Sequence, residues 1–418
     1  SGAIAWSLSE EEFIKRLDLF SNLKLRFSYG QTGNQAISSY QTMESLGTAN
    51  YPLNGTLTSG FSGQTYKGPL NTSLRWETTD QFNVGLDFGF WKNRLNFSAN
   101  YYYKKTKDLL QNVSIPLSTG YSTMWTNFGH VTNKGFEFTA NVVAIDNKDW
   151  GLNFDGNISF NQNRIGGLNA DQYATQLWYG ANEVFLQRNG LPIGTIYGYV
   201  EDGFYDNIAE VRADPIYSKV SKEEAQRMIG EIKYVDRNGD NQITTEDRAV
   251  IGDTNPDFIY GLNANFRWKK LSLGLFFQGS QGNDIFNGNL TMIGMNSIGN
   301  VTREAYENRW TPENAANAKW PRITTAMTRD MKLSDRYVED GSYFRLKTIN
   351  LSYNFGSVCK GITDLSVFGT ITNVFTLTNY SWFDPDVNAF GSDASRRGVD
   401  IFSYPNSRTY TIGFKLTL

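Results

Sequence analysis

The chain has 418 residues, 15% of them aromatic and 39 of them glycine, with a formal net charge of −3 and a mean hydropathy of −0.44. That composition excludes a helical membrane protein and a disordered chain, and the near-neutral charge argues against nucleic acid as a partner. One cysteine, Cys359, and one histidine, His130, exclude a disulfide framework and the usual His-rich zinc sites.

The chain opens Ser-Gly-Ala-Ile-Ala-Trp with no signal peptide and is expected to be a downstream part of a longer protein. Ser9 to Glu12, followed by Phe13, Ile14 and Leu17, predicts a capping box on a short amphipathic helix, so residues 1–21 read as a helix and turn leading into the first strand. In that strand Leu23, Leu25, Phe27 and Tyr29 alternate with Lys24, Arg26 and Ser28.

The clearest pattern follows at 81–103. Phe82, Val84, Leu86, Phe88 and Phe90 alternate with Asn83, Gly85, Asp87 and Gly89. After a turn at Lys92 and Asn93, Leu95, Phe97, Ala99, Tyr101 and Tyr103 resume the alternation. A hairpin with this period has one apolar and one polar face. A serine at Gly85, on the polar face, is expected to be accommodated. Further strand pairs are predicted at 136–144 with 152–160, 260–268 with 271–277, and 349–355 with 365–371, and a last strand at 410–418 brings the total to about ten.

Short turns near Lys92, Asn147, Lys269 and Cys359 alternate with long stretches at 32–77, 113–126, 165–256, 284–341 and 379–404. No apolar run is long enough for a membrane helix, whereas a tilted strand crosses with about 9 to 11 residues. Lipid leaves open backbone groups unsatisfied, so spanning strands must close into a barrel. The reading is therefore an all-β, transmembrane, antiparallel up-and-down β-barrel with its long loops on the extracellular side and residues 1–21 on the periplasmic side. A soluble β-sandwich has no reason to sort its loops this way. Ten strands carrying so much loop suggest one arc of a larger barrel.

The longest loop contains one stretch with metal chemistry. Asp236, Asn238, Asp240, Gln242, Thr244 and Asp247 occupy positions 1, 3, 5, 7, 9 and 12 of a calcium-type loop, 236–247. Position 7 contributes a backbone carbonyl, so Gln242 suits it. Asn241 stands where glycine is usual and Asp247 where a bidentate Glu is usual. The expected role of Ca2+ is to rigidify the loop; the other reading is an empty polar turn of Asn-Gly type.

Catalysis finds no support, because there is no Gly-x-Ser-x-Gly elbow and no histidine beyond His130. No organic cofactor is indicated.

A series of motifs then carries a family resemblance. Gln31-Thr32-Gly33-Asn34-Gln35, Arg75-Trp76-Glu77-Thr78-Thr79, Asn133-Lys134-Gly135-Phe136-Glu137, the stretch from Phe277 to Asp284, Asn308-Arg309-Trp310-Thr311-Pro312, the stretch from Asp340 to Leu346, and Asp384-Pro385-Asp386 occur in this order. Together they resemble the carboxyl-terminal half of SusC/RagA-type TonB-dependent transporters over essentially the whole chain. The resemblance implies a barrel of about 22 strands, an amino-terminal plug and the remaining strands upstream, contact with TonB through that upstream part, and a SusD-like surface lipoprotein. It also implies the outer membrane of a Gram-negative, Bacteroidetes-like cell and energised import of a glycan or peptide. A passive porin or surface-binding scaffold predicts the same strands. In such an importer Tyr121, Trp125, Trp178, Tyr179, Trp382 and Phe383 are the loop aromatics expected to stack on ligand.

Overall fold

The computed structural model describes residues 1–34, 46–53, 56–66, 69, 71–121, 123–174, 183–293, 300–324 and 332–417. Its dominant element is one eleven-stranded sheet in which every strand pairs with its neighbours in chain order. The strands are β1 (Gly2–Ser7), β2 (Phe20–Asn34), β3 (Glu77–Phe90), β4 (Leu95–Lys107), β5 (His130–Asp146), β6 (Trp150–Gly166), β7 (Phe258–Trp268), β8 (Leu271–Gln281), β9 (Tyr343–Gly356), β10 (Asp364–Thr378) and β11 (Thr409–Thr417).

All ten strands expected from alternation are present; the additional one is β1. Residues 2–7, expected within a helix and turn, pair antiparallel with β2, Ile4 facing Phe27 and Trp6 facing Leu25. Six residues with no turn signal of their own offer too short a pattern to read alone. The predicted helix shrinks to Glu12–Lys15, and its cap position is Glu11, without a side-chain capping bond. The expected capping box at Ser9 does not form, because Leu8–Glu10 closes a 3-10 turn ahead of it.

Register explains why the alternation was legible. One row runs Trp6, Leu25, Leu86, Ala99, Phe138, Ile158, Tyr260, Gly279, Phe344, Leu377 across ten strands. Gly279 keeps this row continuous: a Cβ there would lie 2.3 Å from the Tyr260 ring, and without it that ring stacks toward Phe344 at 6.5 Å. The side chains of this row are half-buried by their neighbours in the sheet, with Trp6 and Leu377 exposed at its ends, as expected for an outward face solvated by acyl chains. At the short-turn end Trp91, Trp150 and Trp268 add an exposed girdle, with Trp150 and Trp268 stacked at 5.8 Å.

The opposite face is polar and hydrogen-bonded across strands. Arg26 makes a two-point contact with Asp87 at 2.7 and 2.8 Å and also reaches Asn100 at 2.8 Å, while Ser98 donates to Asp87 at 2.7 Å. Gly85 makes room for this network. A Cβ there would lie 2.6 Å from Asn100 Oδ1 and 2.8 Å from the Arg26 guanidinium, the movable far ends of two long side chains, so a serine would have to shift this network.

Connections alternate strictly. Residues 8–19, 91–94, 147–149, 269–270 and 357–363 are short; 35–76, 108–129, 167–257, 282–342 and 379–408 are long and leave from the other end of the sheet. Several strands outrun a bilayer at that end. β5 and β6 have 17 residues each, against the 9 to 11 needed to cross.

The facing assignment makes a sharp prediction at two adjacent residues of β7. Leu262 lies on the apolar face and is 38% exposed, whereas Asn263 pairs with Asp155 on the polar face. Leu262→Arg should lose about 2 to 4 kcal/mol and most barrel assembly. Asn263→Arg gains an anion beside it and should assemble normally. Equal yields of heat-modifiable barrel in membrane fractions would refute the assignment.

Candidate functional site

Three long loops fold into one packed body over the sheet. Val184, Phe185 and Ile196 from 167–257, Phe286, Ala305, Trp320 and Tyr337 from 282–342, and Val399 from 379–408 form a single buried cluster. Each large apolar side chain so buried contributes on the order of 1.5–3 kcal/mol. Here the inside-out pattern of the wall reverts to an ordinary core, because the loops are surrounded by water. Short strands frame the cluster: Gln172–Ala174, Phe185–Gln187, Thr195–Gly198 and Ala249–Asp253 make one sheet, and Asp284–Asn287, Val338–Asp340 and Val399–Asp400 another.

Polar cross-ties join the loops at their buried edges. Glu201 is bound by the Arg336 guanidinium and the Ser334 hydroxyl. Trp310 Nε1 donates to Asp206 at 2.7 Å and Arg322 Nε to Glu231 at 2.9 Å, while within the loop 379–408 the Tyr380 hydroxyl donates to Asp400 at 2.7 Å. Burial and the Asp400 carboxylate push the Tyr380 phenol up, so it stays a donor.

One tie roots the loops in the wall. Arg345 of β9 is only 1% exposed; it donates to Asp384 of the loop 379–408 and, at 2.9 Å, to Thr376 of β10. Asp384 also accepts from Asn406 at 2.6 Å, and Asp386 lies 3.8 Å from the guanidinium. Removing one partner of such a buried pair costs about 3–5 kcal/mol, since the other charge stays desolvated.

The aromatics expected at a ligand site fall in separate places. Tyr121 and Trp125 belong to the loop 108–129. Trp125 lies in the strand Thr123–Asn127, where its carbonyl accepts from Asn71 at 3.0 Å. Trp382 and Phe383 sit side by side in the loop 379–408, immediately before the Arg345 anchor's partner Asp384, with their rings edge to face at 5.3 Å. Phe383 is 66% exposed, while Trp382 Nε1 is buried and has no hydrogen-bond partner. Trp178 and Tyr179 lie outside the described residues.

The calcium-type loop closes on its own backbone. Asp236 accepts from the N–H groups of Gly239 (2.7 Å) and Asn241 (2.8 Å), Asn238 Oδ1 from Asp240 N–H (3.0 Å), and Asp240 from Gln242 N–H (2.8 Å). Asn241 takes φ 63°, the left-handed conformation that position 6 requires. Asp247 is fully buried; it receives the N–H groups of Arg237 (2.9 Å) and Thr244 (2.7 Å) and so staples both ends of the loop. Thr244 completes a capping box with it. Among the described residues no group of three or more Asp, Glu, His or Cys converges as a metal set.

A family profile described as "TonB dependent receptor-like, beta-barrel" matches residues 2–276. The chain is 35% identical to TonB-dependent receptor P26 of Formosa agariphila over 99% of its own length and 42% of that protein. It is 28% identical to TonB-dependent receptor SusC of Bacteroides thetaiotaomicron over 99% of its length and 39% of that protein. It thus spans about two-fifths of the curated relatives it matches. Among solved structures, that of the RagAB peptide transporter is similar with a TM-score of 0.79 at 23% identity, covering 99% of this chain and 42% of that one.

The Asp247 staple gives a pH prediction. Burial opposes its ionisation, but the backbone N–H groups of Thr244, Arg237 and Asn238, with Asp236 beside it, outweigh burial and hold the carboxyl below its usual value. A depressed pKa contributes stability that is present above the ordinary Asp range near 3.9 and lost as pH falls through the folded value. Cleavage of 236–247 by an acid-active protease should therefore rise steeply only below about pH 4. Asp247→Asn should expose the loop already at pH 7.

Proposed function

This chain belongs to the TonB-dependent receptor-like β-barrel family, and we propose that it supplies the wall and extracellular loops of an outer-membrane importer of the SusC/RagA type, taking up oligosaccharide or peptide. The sheet lies in the outer membrane, so by the usual polarity of these barrels its long loops are extracellular and its short turns periplasmic. The observation that carries the proposal is the fusion of the long loops into one body anchored to the wall at Arg345 and Asp384. A preorganised body over the lumen suits capture, because its ordering cost is met before ligand arrives.

In this reading ligand is held between the loop body and a SusD-like lipoprotein, and TonB, acting through an upstream plug, opens the lumen. The polar face around Arg26, Asp87, Ser98 and Asn100 gives a hydrated passage whose charges are already paired. Phe383 is the exposed ring best placed to stack on a flat sugar face or an aromatic peptide side chain, with Trp382 supporting it edge-on. Tyr121 and Trp125, on the separate loop 108–129, are further candidates for stacking on ligand.

Affinity capture from native outer membranes through this chain tests the assembly. Mass spectrometry should recover a contiguous plug-containing amino-terminal part together with a surface lipoprotein. Recovery of the barrel alone would favour the passive pore. On the same complex Phe383→Ala should weaken ligand binding by about fivefold to tenfold, the worth of one stacked ring, with loop stability unchanged.

We also propose Ca2+ at 236–247, held by oxygens of Asp236, Asn238, Asp240, Gln242 and Asp247. Support comes from the left-handed Asn241 and from the oxygens of Asp236, Asn238 and Asp240, which turn inward onto the loop's own backbone N–H groups. Chelation should raise proteolysis of this loop in the wild-type protein and leave Asp236→Ala/Asp240→Ala unaffected; identical cleavage with and without chelator would reject the metal.

A further inference from the structure

The outer face of β4, β5 and β6 carries cations where the strands rise out of the membrane. Lys105 pairs across the register with Thr132, and Thr132 with Arg164. One step closer to the bilayer Tyr103 pairs with Lys134 and Lys134 with Gln162, and the next row of this face is Tyr101, Phe136, Phe160. Period-two alternation puts Lys105, Lys134 and Arg164 on the side of these aromatic rings, which is the lipid side. Asp80, opposite Lys105, is engaged by Lys107 at 2.6 Å and by Gln31 at 2.8 Å. Among the described residues Lys105, Lys134 and Arg164 have no ion pair of their own.

A notch opens beside them. β6 continues to Gly166, but its pairing with β7 stops at Ser159 and Ile259. The gap between the upper part of β6 and residues 253–257 holds a groove of about 500 Å³, with Tyr101, Phe136 and Phe160 at its apolar side and Lys134 and Arg164 along it. Asp253 and Asp257 line the loop side, and Asp253 already accepts from Asn255 at 2.7 and 2.9 Å.

We propose that this notch binds a phosphate-bearing glycolipid of the outer leaflet. Its phosphate sits against Lys134 and Arg164 with Lys105 behind them, sugar hydroxyls face the Asp257 side, and acyl chains run down over Phe136 and Phe160. Two features choose lipid over a soluble anion. The cations are continuous with the lipid-facing belt, and the groove couples an anion site to an aromatic wall. Basic clusters at a membrane surface are the usual recognition element for anionic headgroups. The site lies in the middle of the sheet, away from both edge strands.

The test is native mass spectrometry of the full-length protein extracted from outer membranes in mild detergent. Wild type should retain phosphate-bearing glycolipid. K105Q/K134Q/R164Q should bind it on the order of 100-fold more weakly, from a few-fold per cation. K104Q, which removes one charge from the lumen face beside Lys105, should bind as wild type does. Retention by the triple variant, equal loss in K104Q, or a dimer of this chain at the face with no lipid bound would each overturn the proposal. A second readout avoids variants: reconstituted wild type should melt higher with the phosphorylated glycolipid than with its dephosphorylated form, and equal melting would overturn it as well. Failure here would leave transporter assembly untouched, since capture of plug and lipoprotein is read separately.

Discussion

Backbone hydrogen bonding in a medium without water is the constraint on which this structure depends. A strand crossing lipid must satisfy every N–H and C=O on its neighbours, so consecutive strands pair in chain order and no strand is skipped. That ladder forces short and long connections to alternate between its two ends. The loop body exists because five long connections all leave from one end.

The same chain solves the hydrophobic problem in two opposite ways. Within the membrane, apolar side chains point outward and Arg26, Asp87 and their partners fill the inward face. Above it, Phe185, Ile196, Phe286, Tyr337 and Val399 turn inward in the usual manner. The switch follows solvent and nothing else: acyl chains accept apolar surface that water rejects. Where strands outrun the bilayer, lysine and arginine replace aromatics on the outer face within one or two residues, as at Tyr101, Tyr103 and Lys105.

Several motifs that carried the family resemblance prove to be joints of the loop body. Arg345 and Asp384, from two separate motifs, form the buried pair that roots a loop in the wall. Trp310, from a third, reaches Asp206 of a different loop. These residues hold loops against one another and against the wall, so the presented surface around Phe383 can vary without disturbing the frame. For the same reason the frame alone carries no statement of substrate.

All ten strands with a long alternating face were legible in the sequence, because a period of two set against lipid leaves a strong one-dimensional signal. β1 was missed, since six residues between no turn signals carry too little of it, and its pairing with Phe27 and Leu25 is a tertiary fact. Spacing also pointed to Asp247 and Asn241 as special positions; only the structure shows Asp247 stapling both ends of the loop through backbone N–H groups. The loop core, the Arg345–Asp384 root and the cationic notch beside Arg164 were invisible. Each joins residues far apart in sequence, through contacts that no local period encodes. Alternation and loop parity were determined by the sequence itself, because each strand meets its solvent locally. How three of the five long loops pack into one body was decided only by tertiary structure, because irregular segments find their partners through long-range burial and ion pairing.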